Sequence, residues 1–173
     1  MGDPRKAKKK YTRPRSIWTS DQISSELYVL GSYGLRNKRE LWKSQTEIAR
    51  IRNQARSLLS LPIEVRHEKE TNLLNYLARL GIVESGSTLD DVLNLKIEDI
   101  LERRLQTIVM KRSNLKSPYQ ARQIVVHGHV SIGNRKINLP GYLVKKDEEL
   151  EILVHINPAE SAAPTTTTTK TAK

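Results

Sequence analysis

The spacing of apolar residues changes once along this chain, and that change limits the folds open to it. Ile23, Leu27 and Leu30 recur at helical steps, as do Leu41, Ile48, Ile51, Ala55, Leu58 and Leu59. Leu73, Leu74, Leu77 and Leu80 repeat the pattern, followed by Ile97, Leu101, Leu105 and Ile108, then Ala121, Ile124 and Val125. Three- and four-residue steps place such side chains on one face of a helix. From Val130 onward the period falls to two: Val130 and Ile132, Ile137 and Leu139, then Leu150, Ile152, Val154 and Ile156. Alternation is the signature of a strand. Helices followed by a few short strands give an α+β fold, with two packed helices and a small antiparallel sheet at its C-terminal end. Phe is absent, so Leu, Ile and Val must build the cores.

Local signals punctuate these runs. Asn37 with Glu40 reads as a capping box, Leu61-Pro62 as a break, Gly81 as a helix stop, and Thr88 with Asp91 as the start of a short helical turn. Ser117-Pro118-Tyr119-Gln120 combines an N-cap, a proline at the first helical position and a reciprocal Gln. Gly133-Asn134 is a two-residue hairpin turn and Pro140-Gly141 another turn. The chain therefore divides into a helical unit over 17–97 and an α+β unit over 98–156. Residues 1–16 carry seven cations against Asp3 and should self-repel, with no fold of their own until a partner arrives. Residues 157–173, rich in Ala, Pro and Thr, should be disordered.

Charge points to the partner. Thirty Lys and Arg face nineteen Asp and Glu, a formal net charge of +11. From Arg103 through Lys146 there is no acid, yet there are ten cations; residues 84–102 hold six acids and one Lys. A single-sign run suits a polyanion, because each neutralised phosphate releases counterions. Within the run the candidates are Arg103, Arg104, Lys111, Arg112, Lys116, Arg122, Arg135 and Lys136, with Arg104 and Lys111 expected on one side of a helix. Exchange of Arg104 or Arg122 for Gln on such an exposed face should change stability by only about half a kcal/mol. Ser117 opens a helix whose free N–H groups favour an anion. Arg36, Lys38, Arg39 and Lys43 add cations from the first unit. Tyr119 sits between Lys116 and Arg122, where it could stack on a base; Trp42, inside an amphipathic helix, suits a core better. His127 and His129 lack a third ligand and any Cys, which points to structural or RNA-contacting roles rather than a metal.

Other classes find little support. Without cysteine there is no thiolate centre, and no cofactor is expected. No apolar run is long enough to cross a membrane. The chain has no Gly-rich phosphate loop and no G-x-S-x-G elbow, so neither an enzyme nor a small-molecule substrate is expected. No helix is basic throughout at the spacing a DNA-reading basic region would need, so a shaped RNA fits better.

Arg104-Leu105, Ser117 through Ala121-Arg122, and His127-Gly128-His129-Val130-Ser131-Ile132 resemble the S-four RNA-binding domain. Arg135-Lys136-Ile137 and Pro140-Gly141-Tyr142 continue the likeness, although Gly133-Asn134 stands where many members have Asn-Gly. Met1 through Pro4, Tyr33 through Trp42, Leu89 through Leu93 and Glu98 through Leu105 resemble the archaeal and eukaryotic branch of the small-subunit ribosomal protein S-four family. That resemblance implies a structural, ribosome-bound role in the cytoplasm, with early binding of small-subunit ribosomal RNA that nucleates assembly of the subunit body. It further implies contact with neighbouring ribosomal proteins, a place near the messenger RNA entry channel and an influence on decoding accuracy. The alternative is an RNA chaperone or ribosome-rescue factor built on the same domain.

Overall fold

A computed structural model describes residues 9–84 and 86–155. The helices are α1 (Ser20–Ser32), α2 (Lys38–Leu59), α3 (Ile63–Leu80), α4 (Leu89–Asn94), α5 (Ile97–Glu102), α6 (Leu105–Arg112) and α7 (Pro118–Val126). Strands β1 (Val130–Ile132) and β2 (Arg135–Lys136) follow, then a single turn of helix, α8 (Lys146–Glu149), and β3 (Ile152–Val154). The fold is α+β, as the change of period requires.

Three apolar clusters hold it together. Ile48, Ile51, Ala55 and Leu58 of α2 pack with Leu73 and Leu77 of α3, Leu89 and Val92 of α4, and Ile100 of α5. Leu105 and Val109 of α6 pack with Ala121 and Val125 of α7, and with Val130, Val144 and Ile152 from the sheet side. A small third cluster, Leu35, Leu41 and Leu101, lies between them. The first cluster runs as far as Ile100 and the second begins at Leu105. The sheet has the order β2-β1-β3, both pairs antiparallel. Ile132 faces Arg135 across Gly133-Asn134, and Val130 faces Val154.

Several expectations are corrected. The stripe Ile97, Leu101, Leu105, Ile108 does not belong to one helix. At Arg104 the backbone turns extended, with φ −73° and ψ 141°. The Leu105 N–H donates to the Tyr142 carbonyl at 2.8 Å and the Val144 N–H to the Arg103 carbonyl at 3.0 Å. Residues 103–105 thereby pair with 142–144, a long-range partner that outcompetes helix continuation. Leu150 caps α8 and is 82% exposed instead of starting a strand, and Ile156 lies outside the described residues. At the start of α2, Asn37 accepts from the Glu40 N–H at 3.2 Å, but the Glu40 carboxylate is drawn elsewhere. By contrast Ser117 caps α7, accepting from the Gln120 N–H at 3.3 Å.

The basic extension is also corrected in part. The Thr12 N–H donates to Thr46 Oγ1 at 3.0 Å, and the Tyr11 ring stacks 6.0 Å from that of Trp42. Lys9 lies 4.8 Å over Tyr11 and Arg13 6.0 Å over Trp42. Aromatic and cation–π contacts offset the self-repulsion over 9–13. Residues 1–8, and 157–173 at the other end, lie outside the described residues. Trp42 itself is buried and its indole N–H donates to Glu26 at 3.2 Å. Glu26 also takes Lys38 at 2.9 Å, and hydrogen bonds from Lys38, Trp42 and Gln22 outweigh burial to hold its carboxyl below the ordinary value.

Gly34 fixes the approach of α1 to α7. Its φ is +57°, and a Cβ there would lie 2.7 Å from the Pro118 Cβ and 2.9 Å from Gln106 Nε2. Gly34→Ala should therefore cost about 2–4 kcal/mol, the left-handed conformation and the steric overlap adding. Urea unfolding checks this; a loss below half a kcal/mol would mean that the junction yields freely.

Candidate nucleic-acid interface

The run that is free of acids in sequence is not free of them in space. Glu149 binds Arg103 at 2.7 Å, Glu102 binds Lys111 at 3.2 Å and Glu148 binds Lys145 at 3.4 Å. Glu40, from α2, reaches both Arg104 and Arg122, at 2.8 and 2.9 Å. Half of the ten cations are therefore neutralised by carboxylates from flanking or distant segments.

Arg103 and Arg104 have structural positions. The Arg103 guanidinium also donates to the carbonyls of Leu80 at 3.0 Å and Val144 at 3.2 Å, joining the end of α3 to the segment before α8. Arg104 is only 5% exposed, so the expectation that it shares an exposed helix side with Lys111 is overturned. Its partner Glu40 accepts three hydrogen bonds from two guanidinium groups: one from Arg104, and two from Arg122 at 2.9 and 3.3 Å. Burial alone would raise the Glu40 carboxyl, but the bonds from Arg122 and Arg104 prevail and hold it below its ordinary value. Burial likewise pushes Arg104 down, against the pull of Glu40.

Beside this cluster Gln106, 1% exposed, spans three elements. Its amide donates to the carbonyls of Pro118, Gly34 and Tyr33 at 2.9, 3.1 and 3.3 Å, and its oxygen lies 3.5 Å from Arg122. Among the described residues no side-chain nitrogen or oxygen fully buried in this network lacks a partner, so the network serves as a joint rather than a liability. Glu40 and Gln106 were missed in the sequence. Glu40 did leave a signal, as the single acid among Arg36, Lys38, Arg39 and Lys43.

The remaining candidates fall into separate places. Arg135 and Lys136 form the exposed edge strand β2. Lys111 and Arg112 line a hollow of about 720 Å³ that also contains Asp99, Glu102 and Glu149, and Arg112 donates to the Glu149 carbonyl at 2.5 Å. That surface is mixed in sign. Arg36, Tyr119, Arg122 and His127 line a groove of about 440 Å³ along α7. Among the described residues no carboxylate lines the groove. Tyr119 is 57% exposed, and the rings of His127 and His129 stand 6.4 Å apart, nearly parallel. Lys116 is exposed, as are Arg39 and Lys43 on α2, and among the described residues none of these three is ion-paired. Ser117 is committed to its cap and Lys38 to Glu26. Among the described residues no group of three or more His, Asp or Glu could hold a metal, and no helix is long and apolar enough to cross a membrane.

The model of the S4 domain family matches residues 103–150. Small ribosomal subunit protein uS4 of Hyperthermus butylicus is 55% identical over 149 residues, covering 86% of this chain and 85% of that protein. The uS4 protein of Nitrosopumilus maritimus is 52% identical over 164 residues, covering 95% and 80%. That of Methanothermobacter thermautotrophicus is 46% identical over 152 residues, covering 88% and 89%.

Proposed function

The chain belongs to the uS4 family of small ribosomal subunit proteins, and from that premise we propose that it is a structural constituent of the small subunit that binds the subunit's RNA. The single observation that carries the RNA contact is the arrangement around the S4 domain of exposed cations that have no ion pair among the described residues: Arg36 beside α7, Lys116 before it, and Arg135 with Lys136 on the sheet edge. Arg39 and Lys43 extend the set along α2. Phosphates fit these positions because each cation is exposed and, among the described residues, in no ion pair, with Lys43 alone sharing a hollow with carboxylates, Glu40 and Glu47. Lys111, Arg112, Arg122, His127 and His129 flank the set. Arg104 is assigned to the Glu40 joint instead, and Arg103 to the contact between α3 and the segment before α8.

The enzyme alternative falls with family membership. The divisions at 17–97 and 98–156 are proposed as two RNA-contacting halves, held together by the Glu40 joint. Partners are small-subunit ribosomal RNA and neighbouring ribosomal proteins, with the protein ribosome-bound in the cytoplasm. Early binding that nucleates the subunit body, a place near the messenger entry channel and an effect on accuracy extend the same reading, with family membership over most of the chain as their support. Sedimentation of tagged protein through a sucrose gradient at high salt tests the proposal. Co-migration with mature small subunits is expected; release into the top fractions would favour an RNA chaperone instead.

A further inference from the structure

We propose that the groove along α7 seats one unpaired nucleotide of the RNA, its base against Tyr119 and its phosphate at Arg36. The inference rests on the RNA-binding reading and goes further, to the kind of RNA element recognised. α7 buries Ala121, Ile124 and Val125, and turns Tyr119, Gln123 and Val126 outward at steps of four and three. That outward stripe covers about 10 Å of helix. Tyr119 and Val126 are 57% and 52% exposed, so neither belongs to a core. Across the groove stands Arg36, exposed and without an ion pair among the described residues, next to the buried Leu35. The two walls are 83 positions apart in sequence, brought together by the close approach at Gly34.

The chemistry selects an unstacked base. A π face and a valine side chain gain nothing from a duplex, whose bases are stacked inside and whose surface offers phosphate and hydroxyl groups. A splayed base offers a ring to Tyr119 and an edge to the Gln123 amide, which can donate and accept. The adjoining phosphate then meets the unpaired Arg36 guanidinium, a charge-assisted contact. Arg122 is held by Glu40, whereas Arg36 has no ion pair among the described residues.

Fluorescence anisotropy of the full chain with a ten-nucleotide single-stranded oligouridylate, and with a blunt RNA duplex of the same length, tests this at two salt concentrations. Tyr119→Ala should weaken single-strand binding about tenfold or more, leaving the salt slope and duplex binding unchanged. Tyr119→Phe should stay close to wild type. Arg36→Gln should flatten the single-strand salt slope by roughly 0.7 units, the share of one phosphate. Equal losses on both RNAs, or no loss with Tyr119→Ala, overturn the assignment. If the wild-type chain binds neither short RNA but binds folded ribosomal RNA, only the groove assignment falls; if it binds none of the three, the ribosomal RNA reading falls as well.

Discussion

Glu40→Gln should lower the stability of the folded chain by about 3 kcal/mol at neutral pH, because it leaves two guanidinium groups facing each other without an anion. Arg104 supplies most of that cost, since it is almost fully buried and has no carboxylate but Glu40 among the described residues. Arg122 contributes less, being partly in water. The effect has a definite pH signature. A carboxyl whose folded value lies below its ordinary 4.5 stabilises the fold fully above that value. The contribution fades as pH falls below 4.5 and through the depressed folded value, where the protonated side chain resembles glutamine. Urea midpoints for wild type and Glu40→Gln should therefore differ most at pH 7 and converge in acid. Lys111→Gln, which breaks only the exposed pair with Glu102, should stay within about half a kcal/mol of wild type. Equal behaviour of the two variants would reduce the Glu40 cluster to an ordinary surface contact.

What the sequence made legible was local. Ser117, Pro118 and Gln120 lie within four residues, and the cap they predict depends on nothing farther away. The Gly133-Asn134 hairpin and the buried face of α7 follow from the same short-range rules. The misreadings share a different origin. The apolar stripe from Ile97 to Ile108 runs unbroken through Arg103-Arg104, so nothing nearby reports that residues 142–144 will claim that backbone. Arg104 resembles any surface cation until a carboxylate 64 positions away is folded against it. The acid-free run implied one basic face, but charge is segregated along a chain far more readily than across a small fold, where Glu40, Glu102, Glu148 and Glu149 come within reach. The extension shows the converse: its charge predicted no order, while Tyr11 and Thr12 had partners on α2 that spacing could not reveal.

This redistribution of charge alters which cations should govern RNA affinity. Arg36, Arg39, Lys43, Lys116, Arg135 and Lys136 remain exposed, without an ion pair among the described residues. Six phosphate contacts should make affinity for folded ribosomal RNA fall about 10³-fold between 50 and 200 mM salt. Replacing Arg135 and Lys136 together by Gln should flatten the log–log slope by nearly two units, at little cost in stability, because both lie on an exposed two-residue edge strand. Arg104→Gln should behave in the opposite way, losing stability while the fraction that folds keeps the wild-type slope. Leu105→Ala, emptying a fully buried position between α6, α7 and the sheet, should cost about 2–5 kcal/mol and likewise leave the slope alone. Filter binding at a series of salt concentrations, paired with thermal melts of each variant, separates the two groups. A flat salt response in the wild-type chain would sink the electrostatic reading. A slope that flattens with Arg104→Gln but not with the Arg135/Lys136 pair would put the phosphates at the Glu40 joint, with Arg104 exchanging its carboxylate for RNA.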